Sequence, residues 1–266
     1  MNKSKIEWCD STWNPVTGCL HNCTYCYARR IANRFKGWTD SEGDTHYDTI
    51  LTTDNLIREL QEPLYIAPKE RLGKWPKAPY PYGFIPTFHR YRLDGPIRKT
   101  RPRKIFVCSM ADLFGDWVPD EWIQEVFETC KKAPQHKYLF LTKNPKRLCE
   151  LANMDKLPAD NNFWYGSTVT SKNSLRYPGR FKDNTFLSIE PLLEPLDAGL
   201  GSFGNAKWII IGAETGNRKD KIVPKREWIE NIVEAASITR IPIFMKNSLK
   251  ELMGDNFIQE WSEGLK

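Results

Sequence analysis

The chain has 266 residues, 40% of them hydrophobic, and a formal net charge of +6. That length suits one α/β domain of barrel size or two smaller domains. No apolar run reaches the ~18 residues of a membrane span, and residues 1–8 lack the apolar core of a secretory signal, so a cytoplasmic protein with no membrane partner is expected.

In chain order, residues 12–18 read as a short strand or turn leading into a cysteine-rich loop. Residues 26–35 carry apolar side chains at helical spacing, with Gly37 as the stop. Residues 38–103 hold many of the prolines and tyrosines and read as an irregular insert or flap, with one helix at 53–61. Regular alternation follows: a strand at 104–108, a helix at 119–131 with proline in its first turn, a strand at 137–142 and a helix at 145–152. Then come a strand at 163–170, a segment at 173–181, strands at 185–189 and 207–211, a helix at 226–238 and a strand at 241–245. The tail, 249–265, is amphipathic and expected to be helical. Strands alternating with helices imply a parallel sheet with right-handed crossovers. Six or seven such units fall short of the eight of a closed barrel. The expected fold is an open, partial β/α barrel of about six or seven parallel strands in a single domain, 1–266, with a doubly wound sheet as the alternative.

Seven cysteines are present, and three of them, Cys19, Cys23 and Cys26, fall within eight residues. In a reducing compartment such clustering favours metal or redox chemistry over a disulfide framework. The spacing is C-x3-C-x2-C, and so short a loop aims three thiolates at one iron–sulfur cubane. Three ligands leave the fourth iron open to a small chelating molecule. The alternative is a zinc site with Cys9 or His21 as fourth ligand, although no second ligand knuckle is visible.

This loop resembles the signature of the radical S-adenosylmethionine superfamily, C-x3-C-x-aromatic-C, with Tyr25 at the aromatic position. Its place after a first strand and before a first helix is also similar. Further stretches are similar to an uncharacterised, phage-associated three-cysteine-motif family. These are residues 13–19 (Trp-Asn-Pro-Val-Thr-Gly-Cys), 106–114, 141–143, 187–192 and 211–216. The resemblance implies a [4Fe–4S] cluster on Cys19, Cys23 and Cys26, with S-adenosylmethionine chelating the open iron and an external electron donor. It also implies reductive cleavage of S-adenosylmethionine to a 5′-deoxyadenosyl radical.

In parallel α/β folds ligands gather at the carboxyl ends of the strands. The polar residues there are candidates for holding S-adenosylmethionine. Asp112, or carbonyls near Ser109, would accept from its ammonium, and Lys143 or Ser171 would donate to its carboxylate. Glu190 or Glu214 would take the ribose hydroxyls, and Gly212 would let the backbone approach the adenine. Thr168, at the end of the fourth strand, and Tyr25 complete the set. Each also has a bland reading as an ordinary polar group near a strand end. Cys108 is a candidate hydrogen-atom donor or, more plainly, a small buried strand residue.

Between 61 and 103 stand ten Lys and Arg residues against three acidic ones, interleaved with Tyr65, Trp75, Tyr80, Tyr82, Phe84, Phe88 and Tyr91. Positive charge neutralises phosphates and aromatic faces stack on bases. The expected activity is therefore modification or repair of a nucleic acid or nucleotide. The alternatives are a radical enzyme acting on a peptide or partner protein, and a zinc-stabilised nucleic-acid-binding module without catalysis.

Overall fold

The computed structural model describes residues 1–47, 56–68, 73–180, 183–196 and 203–266. In chain order its elements are β1 (Asn2–Lys3), β2 (Ser11–Trp13), β3 (Val16–Thr17), α1 (Tyr27–Arg34), β4 (Trp38–Thr39), β5 (Thr45–His46) and β6 (Arg58–Leu60). There follow β7 (Thr87–His89), β8 (Lys104–Val107), α2 (Asp120–Lys131), β9 (Lys137–Thr142), α3 (Pro145–Asn153), β10 (Phe163–Thr168) and β11 (Asn184–Ile189). The last are β12 (Ile209–Ile211), α4 (Arg226–Ile238), β13 (Ile243–Met245) and α5 (Lys250–Met253). Two compact units emerge. One comprises Met1, Trp13–Lys99 and Cys108–Ala133; the other comprises Asn2–Thr12, Thr100–Val107 and Pro134–Lys266.

The second unit is built on a sheet ordered β1-β2-β8-β9-β10-β11-β12-β13. Seven of these strands run parallel, and the short β1 pairs antiparallel with β2. The two ends of the sheet do not meet, so the expected open, partial β/α barrel is what forms. Its strands are apolar on both faces, as a covered parallel sheet requires. Alternation then sorts them. Leu187, Ile189, Ile209, Ile211, Ile243 and Met245 join Ile229, Ile232 and Ala236 of α4 in one core. Their neighbours Phe186, Trp208, Ile210 and Phe244 join Trp8, Phe106, Leu139 and Trp164 in another. Gly166 is where the Phe186 ring lies: a Cβ there would stand 2.4 Å from it.

The first unit holds a three-stranded sheet, β3-β7-β6, in which β7 pairs antiparallel with β3 and parallel with β6. Helix α2 buries Trp122, Ile123, Val126, Phe127 and Cys130, the i, i+1, i+4, i+5, i+8 face of an amphipathic helix. The Trp122 ring sits 5.1 Å from that of Phe88.

Two expectations are corrected. Residues 53–55 of the expected helix at 53–61 lie outside the described residues, and Arg58–Leu60 is strand β6, claimed by pairing with Thr87–His89. Within the segment 38–103 the short strands β4 to β7 stand among irregular stretches. The tail is helical only in short pieces, α5 and three-residue 3-10 turns. Gly254, at φ +54, ends α5, and residues 258–260 bond to β13 instead: Met245 N–H donates to Ile258 O (2.8 Å) and Glu260 N–H to Ile243 O (2.7 Å).

Candidate metal centre

The cysteine loop belongs to the first unit. Gly18 enters it at φ +85, packed so closely that a Cβ would lie 2.3 Å from Ile85 O. Asn22 sits at the loop's tip with φ +55, a left-handed conformation that asparagine tolerates. Cys19, Cys23 and Cys26 are all partly exposed, and none is in a disulfide. Cys26 is the N-cap of α1, and its Sγ accepts from Arg29 N–H at 3.3 Å. Below it Ala28, Ala32 and Met110 form an apolar floor with Tyr80 and Phe84. Burial, and secondarily the carboxylate of Asp112 and the neighbouring thiols, push the Cys19 thiol up to about 12, against a helping hydrogen bond from the His21 backbone.

The segment following β8 braces this loop. His21 Nε2 lies 2.8 Å from Asp112 Oδ2, while Asp112 Oδ1 accepts from Phe114 N–H at 3.1 Å. The Trp117 ring packs edge-on against His21, centroids 4.9 Å apart. Gly18 N–H donates to Met110 O, and Tyr27 O–H donates to Ser109 O at 2.9 Å. Asn14 Oδ1 accepts from both Ser109 Oγ (3.2 Å) and Met110 N–H (3.0 Å). Cys108 is fully enclosed at φ +57, and burial pushes its thiol up to about 12.

The remaining sequence candidates belong to the second unit. Glu190 follows β11 and pairs with Lys246, which follows β13 and also lies 3.8 Å from Glu7. Gly212, after β12, is wedged against both: a Cβ there would stand 3.1 Å from the Glu190 side chain and from Lys246 Cδ. Glu7 Oε1 accepts from Asn247 N–H, closing the constellation. Glu214 faces Arg218, whose Nε and Nη2 donate to its two oxygens at 2.7 and 2.8 Å and hold its carboxyl below the usual range. Thr168 is buried at the end of β10. Ser171 Oγ bonds Ser174 Oγ (3.3 Å), and Lys143 is exposed beyond β9.

Three soft, unbridged thiols suit iron–sulfur ligation. One of them, Cys26, stands at the N-terminus of α1, where its sulfur accepts from a backbone N–H. Each thiolate on a cubane takes its own iron, so the three need not converge on a point. Among the described residues no three His, Cys, Asp or Glu side chains are grouped around the position of a single ion.

Residues 3–251 match the model of a family described as "Protein of unknown function (DUF5131)". The chain belongs to that family. No curated protein matches it. Among solved structures, spore photoproduct lyase complexed with dinucleoside spore photoproduct aligns with a TM-score of 0.47 at 10% identity, over 92% of this chain and 78% of that one. Two mutant forms of the lyase give 0.46 and 0.44. A likeness this remote assigns the DUF5131 chain neither activity nor substrate.

Several residues of these sites escape the sequence reading. Asn14 carries only a turn signal in Trp-Asn-Pro. Glu7 and Arg218 look like ordinary surface charges until folding brings Lys246 and Glu214 to them. No helix among the described residues is long and apolar enough to cross a membrane.

Proposed function

We propose that this chain is a radical S-adenosylmethionine enzyme whose [4Fe–4S] cluster is held by Cys19, Cys23 and Cys26. The observation that carries this is the C-x3-C-x2-C loop closed onto the start of α1 through Cys26, with its aromatic Tyr25. Held there, a [4Fe–4S] cluster would supply the one-electron chemistry of reductive S-adenosylmethionine cleavage to a 5′-deoxyadenosyl radical. The chain's own part is to bind and orient. The His21–Asp112 bond and the Asn14 bonds to the 109–110 backbone and side chain hold the loop's shape. Glu190 with Gly212, and Glu214, remain the proposed contacts of the nucleoside, because carboxylates suit ribose hydroxyls. Glu214 would have to share its oxygens with Arg218. Tyr25, Ser109, Lys143, Thr168 and Ser171 are proposed to complete the cofactor contacts. The fully enclosed Cys108 would need the substrate to reach it before it could donate a hydrogen atom.

For substrate we propose a nucleic acid or nucleotide, supported by the chain's net charge of +6 and by a run, residues 11–39, that holds four Lys and Arg residues and no Asp or Glu. The motif resemblance to the phage-associated family adds a reaction class and no substrate. The test is anaerobic reconstitution. A brown protein with about four irons per chain, forming 5′-deoxyadenosine with dithionite and S-adenosylmethionine, is expected, with both properties lost in Cys23→Ala. A colourless protein with one zinc per chain would overturn the reading.

A further inference from the structure

The basic segment is a weaker polyanion surface once folded than it reads in the sequence. Lys69 and Arg71 lie outside the described residues. Arg90 is held between Glu59 and Glu125, Arg98 pairs with Asp94, and Arg92 donates to the carbonyls of Asn14 and Pro79. Its aromatics are only partly available: Phe88 is fully buried in the core and Tyr82 and Phe84 are partly covered, while Tyr65 and Trp75 are exposed.

Helix α1 is the opposite case. Residues 11–39 contain Arg29, Arg30, Arg34 and Lys36 and no Asp or Glu. Ala28 and Ala32 are buried, which turns Tyr27, Arg30, Ile31 and Arg34 outward within an arc of about 100°. Tyr27, Ile31 and Phe35, at i, i+4 and i+8, are 46%, 39% and 49% exposed. Arg30, Arg34 and Lys36 have no carboxylate partner among the described residues, and the Arg34 guanidinium lies 5.4 Å from the centre of the Phe35 ring. An exposed stripe of large apolar groups flanked by unneutralised arginines is a feature that water alone does not stabilise.

We infer that α1 is the docking face for a single-stranded nucleic acid, with Arg30, Arg34 and Lys36 on phosphates and the rings of Tyr27 and Phe35 against bases. The two rings are separated by eight residues, about 12 Å along the axis. That is the length of about three to four bases stacked at ~3.4 Å. Aromatic stacking is tolerant of sequence, and guanidinium groups supply phosphate contacts. The stripe begins at the residue after Cys26, so the strand would be held beside the proposed cluster. This inference rests on the nucleic-acid reading above and names the surface that would serve it.

The test uses the full-length reconstituted protein and fluorescence anisotropy with a labelled oligothymidylate, and with the same sequence as RNA. Wild type should bind with an affinity that falls steeply with salt. R30E/R34E should bind at least tenfold more weakly, with a log–log salt slope shallower by about 1.4 units. Phe35→Ala should weaken binding about fivefold and leave the slope unchanged. K74E/R101E, on exposed positions of the basic segment, should change affinity less than twofold. R30Q/R34Q, with wild-type circular dichroism and iron content, guards against a folding artefact. Unchanged affinity in both α1 double variants would overturn the inference, as would loss of binding only in K74E/R101E. It would also fail if wild type bound no oligonucleotide while R30E/R34E slowed cluster reduction by an acidic electron-carrier protein, since the face would then dock a protein. Formation of 5′-deoxyadenosine is scored separately. Its absence with binding intact would sink the radical reading and leave the surface standing.

Discussion

His89 is completely buried in the first unit, with Nε2 2.9 Å from Thr17 Oγ1 and Nδ1 3.2 Å from the Tyr91 hydroxyl. Burial, and then the positive charge of Arg92, hold its imidazole well below the ordinary 6.5. The folded chain therefore refuses a proton that the unfolded chain accepts near 6.5. Stability is full above that pH and falls as pH drops towards the folded value. Between about pH 7.5 and 5.5 wild type should lose more melting temperature than His89→Gln, which cannot charge. Equal losses would show that His89 is not the source. His21 is the contrasting histidine: only partly exposed, it is tied to a carboxylate 91 positions away in sequence. The sequence marks His21 as a possible zinc ligand and Asp112 as a possible cofactor contact. Nothing in it pairs them, because that contact exists only once the loop folds against the segment after β8.

At the scale of elements, Cys26 has two jobs that mutation can separate. Its sulfur caps α1 by accepting from Arg29 N–H, and it is a proposed cluster ligand. Serine is a good N-cap and alanine is not, a difference of about 1 kcal/mol. Both Cys26→Ser and Cys26→Ala should lose iron. In the metal-free proteins, Cys26→Ser should have the higher urea midpoint, and equal midpoints would show that the cap contributes nothing. The same scale explains which elements are legible. Helix α4 and strand β9 form over the residues their patterns mark, because Ile229, Ile232 and Ala236 line one helical face and Tyr138–Phe140 are buried in sequence. Residues 58–60 and 258–260 also fall in segments that read as helix, yet a neighbouring strand edge takes their backbone bonds. Edge pairing is a property of where two distant segments meet, so periodicity alone does not report it. The α1 stripe is hidden in the sequence for a related reason: counting charges weighs Arg90 and Arg30 equally, and only folding shows that Glu59 and Glu125 neutralise the first.

At the scale of the molecule, the chain moves from one unit to the other several times, at 12–13, 99–100, 107–108 and 133–134. The barrel sheet is consequently assembled from three stretches of sequence. Residues 134–266 provide β9 to β13, α3 and α4, and look like a sufficient domain. They lack β8, which pairs with β9 from Lys104↔Lys137 to Val107↔Phe140, and they lack Trp8, Cys9 and Phe106 of the second core. Losing one large core aromatic commonly costs 3–5 kcal/mol, about the same for each of Trp8 and Phe106. Two such losses approach the whole stability of an ordinary domain, about 5–15 kcal/mol. The bare apolar edge of β9 would add a template for aggregation. A fragment of residues 134–266 should therefore be insoluble or melt without a cooperative transition by circular dichroism. Adding residues 1–12 and 100–107 through a linker should restore one, because these complete the sheet. A sharp, reversible melt of 134–266 alone, matching the full chain, would mean that β9 to β13 carry the fold without their first neighbours.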